Sequence, residues 1–522
     1  MAGKTYTDTE KKDDVKVLHN MGYAQELERR MSGFSNFAVS FSIICILSGG
    51  INSLAQATSG AGGIAIGIGW LVGCAMSLVF ALAMAQIGSA YPTAGGLYHW
   101  GSILGNRFTG WLTAWLNLLG LITVLGAINI GTWYFFFGAF GASMGLEDTL
   151  TSRVMFVAVI TALQAIINHM GIGLTARLTD WSGYLIFATA IALTLVCLAF
   201  APSWDFSRLF TFTNYSGDAG AKVWPEVSNM WVFLLGLLLP VYTITGYDAS
   251  AHTSEETMKA ATSVPRGMVM SVIWSTIFGW LMLCAIVLML PNMDEAAKQG
   301  WNVFFWAMSA QVPAAIRNIL YIAIFISQFL CGLATVTSAS RMIFAFSRDG
   351  GLPGSAALSK VSPQYRTPVA AIWTAAILSV LFVWFTSSPF MTFSAGSAYT
   401  IVVSCTVIFL FLSFIVPIVL GLMTFGTAKW PKPGPWNLGS GAFKVVAVLS
   451  VISMAVIFLI GIQPPNQNAL WVVAGFLVIT AIVWFGLESR RFTGPPMGDI
   501  ITKRQAAIRA AEAAVGETTR VD

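Results

Sequence analysis

Tyr242-Thr243-Ile244-Thr245-Gly246-Tyr247-Asp248-Ala249-Ser250 closes an apolar run that begins at Trp231. The run has the composition of a membrane helix, yet hydroxyls, a glycine and a carboxylate gather at what would be mid-depth. A charge at that depth costs roughly 2.5–3.5 kcal/mol on insertion scales, so an ionisable residue there is a functional candidate by default. The stretch predicts a helix that breaks, and bilayers tolerate a break only where the freed backbone faces protein or a water-filled cavity.

The rest of the chain has the same character. Its 522 residues are 56% hydrophobic and 10% charged, which excludes an ordinary soluble globule. Twelve apolar runs reach the ~20 residues that cross a bilayer, starting near Phe34, Ile64, Trp111, Val154, Trp181, Trp231, Met268, Ile316, Val369, Ala395, Phe443 and Ala469. They are too long and too uniformly apolar for barrel strands.

Of the 28 Lys and Arg residues, all but Arg153, Arg208, Lys222, Lys298 and Arg317 fall on the side of the two termini once the spans are drawn. The positive-inside rule then predicts both termini in the cytoplasm of a plasma (inner) membrane protein. The net charge of +5 is therefore a topology signal and predicts no nucleic-acid partner. The polar start, Met1 to Arg30, lacks the apolar core of a cleaved signal, so the first span is expected to be retained. Leu18–Met31 and Ile500–Ala514 read as amphipathic segments suited to the inner leaflet.

Nothing points to an enzyme. The six cysteines lie inside spans without CxxC spacing, and His19, His99, His169 and His252 form no HExxH or other close ligand pair. No metal and no cofactor are expected.

A second break is predicted in the first span, where Ser48-Gly49-Gly50 and Asn52-Ser53 interrupt apolar sequence. Small polar residues also serve as helix-packing faces. Breaks in the first and sixth spans, however, start two five-helix sets, the pattern of an inverted-repeat transporter with its substrate between half-helix ends.

Further motifs accompany these breaks: Gly22-Tyr23, Phe34 to Ser42, Tyr91-Pro92-Thr93-Ala94-Gly95-Gly96-Leu97-Tyr98, Gly246 to His252 with Glu255-Glu256, Pro265-Arg266-Gly267, Ser340-Arg341-Met342, Phe346 to Gly350, and Pro433 to Gly439. On these residues the chain resembles the amino acid, polyamine and organocation transporter superfamily. It is most similar to the branch that includes GABA, choline and bidirectional amino acid permeases.

The resemblance implies that a substrate carboxylate meets the amides of Ser48, Gly49 and Gly50, and its amino group the carbonyls near Ile244, Thr245 and Gly246, with Tyr247 as an aromatic gate. Half-helix ends suit this division, since N-termini carry free N–H donors and C-termini free carbonyls. Asp248 has three readings: a cap on the resuming helix, a proton-titrating group, or a partner for a substrate amine. Coupling to a proton or sodium gradient stays open. Asp180 to Phe200 lacks the lysine that some proton-coupled relatives carry, while Thr335, Thr337, Ser338 and Ser340 offer either sodium-binding hydroxyls or simple back-bonds to the helix. Arg341, Arg348 and Asp349 with Glu255 and Glu256 are candidates for an inner ion-pair gate, and Asn117 and Asn129 for pathway or packing roles.

The expected fold is all-α, with twelve transmembrane helices in one domain at 34–487. Inverted repeats would occupy about 34–200 and 230–424 and peripheral helices about 443–487, flanked by cytoplasmic segments 1–33 and 488–522. The expected activity is amino acid transport by alternating access, GABA-like substrates included, with choline or polyamine as the alternative cargo. A channel would need a continuous polar path and a nutrient sensor a long soluble tail, and neither is seen.

Overall fold

The computed structural model describes residues 7–388, 398–462, 466–496, 501, 503–517 and 519. The expected tenth-span start at Ala395 and the residue Ile500 lie outside them.

Helix α1 (Asp8–Asn20) precedes the first span, which is split into α2 (Gly33–Ile44) and α3 (Ile46–Asn52). Then follow α4 (Trp70–Ala90), the short α5 (Leu97–Leu104), α6 (Arg107–Phe136), α7 (Leu150–His169) and α8 (Ile172–Ala199). The sixth span is in pieces: α9 (Asn229–Gly236), α10 (Leu238–Thr243) and, beyond a non-helical stretch, α11 (Ala249–His252). The chain continues through α12 (Ala260–Met289), α13 (Ala314–Arg348), α14 (Val369–Ser387), α15 (Ala398–Thr424), α16 (Ser440–Ile462), α17 (Gln467–Val483) and the tail helix α18 (Gln505–Ala514).

Among the described residues, eleven helical segments are long and apolar enough to cross a membrane. The twelfth expected span is the shorter Asn229–Thr243, short because the sixth helix breaks. This is an all-helical, multi-pass membrane protein. Two of the long helices begin at side-chain capping boxes: Asn106 accepts from the Phe108 and Thr109 amides before α6, and Thr149 from the Ser152 amide before α7. Helix α6 lies along α15 and α13, α12 against α2 and α4, and α8 against α2 and α13. The half-helices α3, α10 and α11 are thereby enclosed by protein, where bilayer physics requires broken backbone to be.

The two amphipathic segments do not lie free on a lipid surface. Helix α1 ends at Asn20, and Tyr23, Ala24, Leu27 and Met31 are buried in protein. The N-terminal segment pairs with the sixth span: the Arg30 and Met31 amides donate to the Glu256 carbonyl, and the Met258 amide to that of Met31. Helix α18 docks beside it, Glu512 accepting from the Gln25 amide at 3.0 Å and meeting His19 Nε2 at 2.7 Å. Their apolar residues, Leu18 and Ile508, find protein partners instead of lipid.

Candidate functional site

The first span breaks at Cys45, three residues before Ser48. Cys45 holds a left-handed backbone (φ 29°, ψ 80°), rare for a residue with a Cβ. Helix α3 restarts immediately, so the Ser48 and Gly49 amides already donate to the Cys45 carbonyl at 2.7 and 3.1 Å. Ile46 and Leu47 open α3, the positions at which a helix leaves its first N–H groups without an intrahelical partner. Helix α13 stabilises the break from the side: Cys331 Sγ donates to the Ile43 carbonyl and Gln328 Nε2 to that of Leu47.

The glycines expected to mark this break have another use. A Cβ on Gly49 would lie 2.6 Å from Thr243 Oγ1 and 2.9 Å from Thr243 Cα, so this glycine lets α3 and α10 touch. Gly50 has only ordinary contacts, the nearest at 3.6 Å.

The sixth span breaks where its sequence says it should. Gly246 has φ +82°, and a Cβ there would meet Ile43 at 2.2 Å, so a glycine is required twice over. The carbonyls of Ile244 and Thr245 accept no hydrogen bond among the described residues. The half-helices are stitched below the break: Ser40 Oγ donates to the Tyr247 carbonyl, and Asn36 Nδ2 to the Ser250 carbonyl. The two breaks share a cavity of about 10 Å³, room for about one water, lined by Ile43, Ser48, Gly49, Tyr242, Thr243 and Thr245 among others.

On the face away from the termini a larger cavity of about 450 Å³ opens, with Asn52, Tyr134, Arg153, Trp301 and Tyr399 among its walls. Tyr242 borders the small cavity and Tyr399 the large one, and their rings meet edge-on at 6.2 Å.

Asp248 is fully buried and is not a cap, because its side chain accepts from no backbone amide of the helix it precedes. Its Oδ2 accepts from Asn117 Nδ2 at 3.0 Å and faces His252 Nε2 at 3.2 Å, while Oδ1 has no partner. Tyr247, also buried, tilts against Phe414 and leaves its hydroxyl unpartnered. Asn129 bonds Thr161 and Gln164, a helix-packing role.

The hydroxyls of the eighth span are mostly engaged. Thr335 donates to the Cys331 carbonyl, Thr337 to Asn168 Oδ1 at 2.7 Å and Ser340 to the Thr337 carbonyl, whereas buried Ser338 has no partner.

The terminus-bearing face is closed by the carboxylates and guanidiniums singled out in the sequence. Arg341 pairs two-pronged with Glu256, and Arg348 with Glu255 at 2.8 and 3.0 Å. Burial pushes the Glu255 carboxyl up, but Arg348 and the Ala94 amide outweigh it and hold the group below its ordinary value. Asp349 accepts from the hydroxyls of Tyr23 (2.5 Å) and Tyr98 (3.0 Å), and Arg348 stacks over Tyr23 at 4.0 Å. Tyr23 belongs to the N-terminal segment, so that segment completes the closure.

His252 was the residue hardest to foresee. Its signal was the four-residue spacing from Asp248, which puts both on one helical face.

A family model described as Amino acid permease matches residues 31–486. Amino-acid permease BAT1 of Arabidopsis thaliana is 31% identical over 511 residues, covering 92% of this chain and 95% of the relative. Its rice homologue is also 31% identical, covering 92% of this chain and 94% of its own length. A GABA-specific permease of Saccharomyces cerevisiae is 28% identical, with 88% of this chain and 80% of the relative covered.

Proposed function

We propose, for a chain that belongs to the amino acid permease family and is thus an amino acid transporter and not an enzyme, that the substrate binds between the two helix breaks. The observation that carries this reading is the pairing of unlike backbone ends. Ile46 and Leu47 stand at the start of α3, where a helix leaves its first N–H donors without an intrahelical partner, and Ile244 and Thr245 offer carbonyls that accept no hydrogen bond among the described residues at the end of α10. A carboxylate suits the first and an ammonium the second, so a zwitterion uses both. Ser48 and Gly49 line the same space. Gly246 lets the broken sixth span pass Ile43 of that lining, and next to it Tyr247 carries a buried, unpartnered hydroxyl.

Transport then proceeds by alternating access, the two halves forming inverted five-helix sets around the breaks. The distribution of basic residues puts both termini in the cytoplasm, in the plasma membrane of the cell. The Glu256–Arg341 and Glu255–Arg348 pairs are the inner gate. The state with those pairs formed and the 450 Å³ cavity open is the outward-facing one, and the collapsed centre expands when substrate enters.

Uptake into proteoliposomes tests the reading, with a panel of amino acids, GABA, choline and putrescine, each with and without proton and sodium gradients. Uptake of one or more zwitterions supports it. Uptake of choline or putrescine alone overturns the two-ended site.

A further inference from the structure

His252 sits between two acceptors. Its Nε2 faces Asp248 Oδ2 at 3.2 Å, and its Nδ1 faces the Ala94 carbonyl at 3.3 Å. A carbonyl only accepts, and so does an ionised carboxylate, whereas a neutral imidazole has one donor and one acceptor. Neutral His252 beside ionised Asp248 must therefore turn a lone pair on one of them. Two arrangements satisfy both contacts. Either imidazolium donates twice, or protonated Asp248 donates to Nε2 while Nδ1–H donates to Ala94. Both contain one proton more than the unsatisfied form.

The surroundings agree. Asp248 Oδ1 and Asn117 Oδ1 are buried and unpartnered, an environment that penalises an uncompensated carboxylate. From α6 the pair meets the neutral Asn117, which also bonds Ser413 of α15, and the α2 side chains nearby, Asn36 and Ser40, are neutral and bond Ser250 between the two members of the pair. From α13 the nearby charges, Arg341 and Arg348, are taken up by Glu256 and Glu255. On the α12 side Lys259 pairs with Glu10 and Arg266 is exposed. His99, beyond Ala94, is held by Thr93 and Tyr23.

The Ala94 contact leads to the gate. Its amide donates to Glu255 Oε1 at 3.1 Å, and Glu255 holds Arg348. Gly96, at φ +44°, supplies the left-handed backbone of this loop, and a Cβ there would press on Ala251 Cβ at 3.2 Å beside the imidazole.

We propose that Asp248 and His252 share one proton when the terminus-bearing gate is closed, and that losing it loosens the gate through Ala94 and Glu255. On release the proton leaves the pair for water. Nδ1 then presents a lone pair to the Ala94 carbonyl, the loop moves away, and Glu255 loses its amide donor. This rests on the gated-permease reading above, but its test needs no substrate.

Nitroxides placed by Arg177→Cys and Arg266→Cys, both exposed at the terminus-bearing face, report opening by dipolar distance measurement; all six native cysteines are buried. The ratio of open to closed should rise about tenfold from about pH 5 to about pH 9, within the range of site-to-site couplings. His252→Gln, which keeps polarity but binds no proton, should flatten that dependence, and Asp248→Asn serves as the second variant. Distances constant with pH in the unsubstituted pair, or an unchanged dependence in a folded variant, overturn the proposal. A chain that shows the pH response but carries no amino acid refutes the permease reading alone.

Discussion

Arg341 and Glu256 meet as a two-pronged pair with neither side chain exposed: Nε lies 3.0 Å from Oε2 and Nη2 2.9 Å from Oε1. Removing one member of such a pair strands the other charge in a dry interior, which costs about 3–5 kcal/mol. Arg341→Met should therefore lower the apparent Tm sharply, measured by tryptophan fluorescence on heating. Adding Glu256→Met should recover most of that loss while leaving transport impaired, as expected of the proposed inner gate. A double variant no more stable than the single one would contradict this.

Gly49 and Gly50 are neighbours with opposite expectations. Gly49→Ala pushes a methyl into Thr243 and should destabilise by about 1–3 kcal/mol, the range for overpacking. Gly50→Ala adds only ordinary contacts and should leave the Tm nearly unchanged. Thermal unfolding of the two variants side by side checks the contrast.

The Tyr247 hydroxyl is buried without a partner. Such a group carries a desolvation cost of about 1–3 kcal/mol, so Tyr247→Phe should raise the Tm. If the hydroxyl serves the bound substrate, the same change weakens affinity about tenfold, as for loss of a hydrogen bond to a charged group. Binding measured by scintillation proximity with the transported amino acid separates the two effects.

Glu517, outside the membrane spans, has its carboxyl pushed up by burial and pulled down more strongly by the Thr519 hydroxyl and amide, then by Lys11 and Arg366, to about 2. Of these partners Lys11 and Arg366 lie outside the tail, so the ionised carboxyl favours docking above its ordinary value of 4.5 and that contribution is lost as pH falls through about 2. A nitroxide at Ala510→Cys should stay immobile at neutral pH and become mobile between those two values. Mobility already high at pH 7 would refute the docking.

Hydropathy made the spans legible because length and apolarity alone decide what crosses a bilayer. The sixth break was equally legible, since Gly246 is there to supply a positive φ. The first break was not: Cys45 adopts a left-handed backbone without the usual glycine, and the conspicuous Gly49 serves a close helix contact. Asp248 lies just past the sixth break, as its sequence position says, but its cap reading failed because Oδ2 turns to Asn117, which only the packing of α6 brings near, and to His252 one turn further along its own helix. The amphipathic ends misled for a related reason. An apolar stripe declares that something covers it, and only the tertiary contacts of Leu18 and Ile508 say that the cover is protein.

Glu256 carries two attachments on one residue. Its side chain grips Arg341, and its carbonyl receives the amides of Arg30 and Met31. Any force on the N-terminal segment is thus delivered to the bolt itself, with no intervening linkage to absorb it. If that pair is the proposed inner gate, the segment is a lever whose short arm ends on it, and a tether or tag that pulls on it should alter the transport cycle.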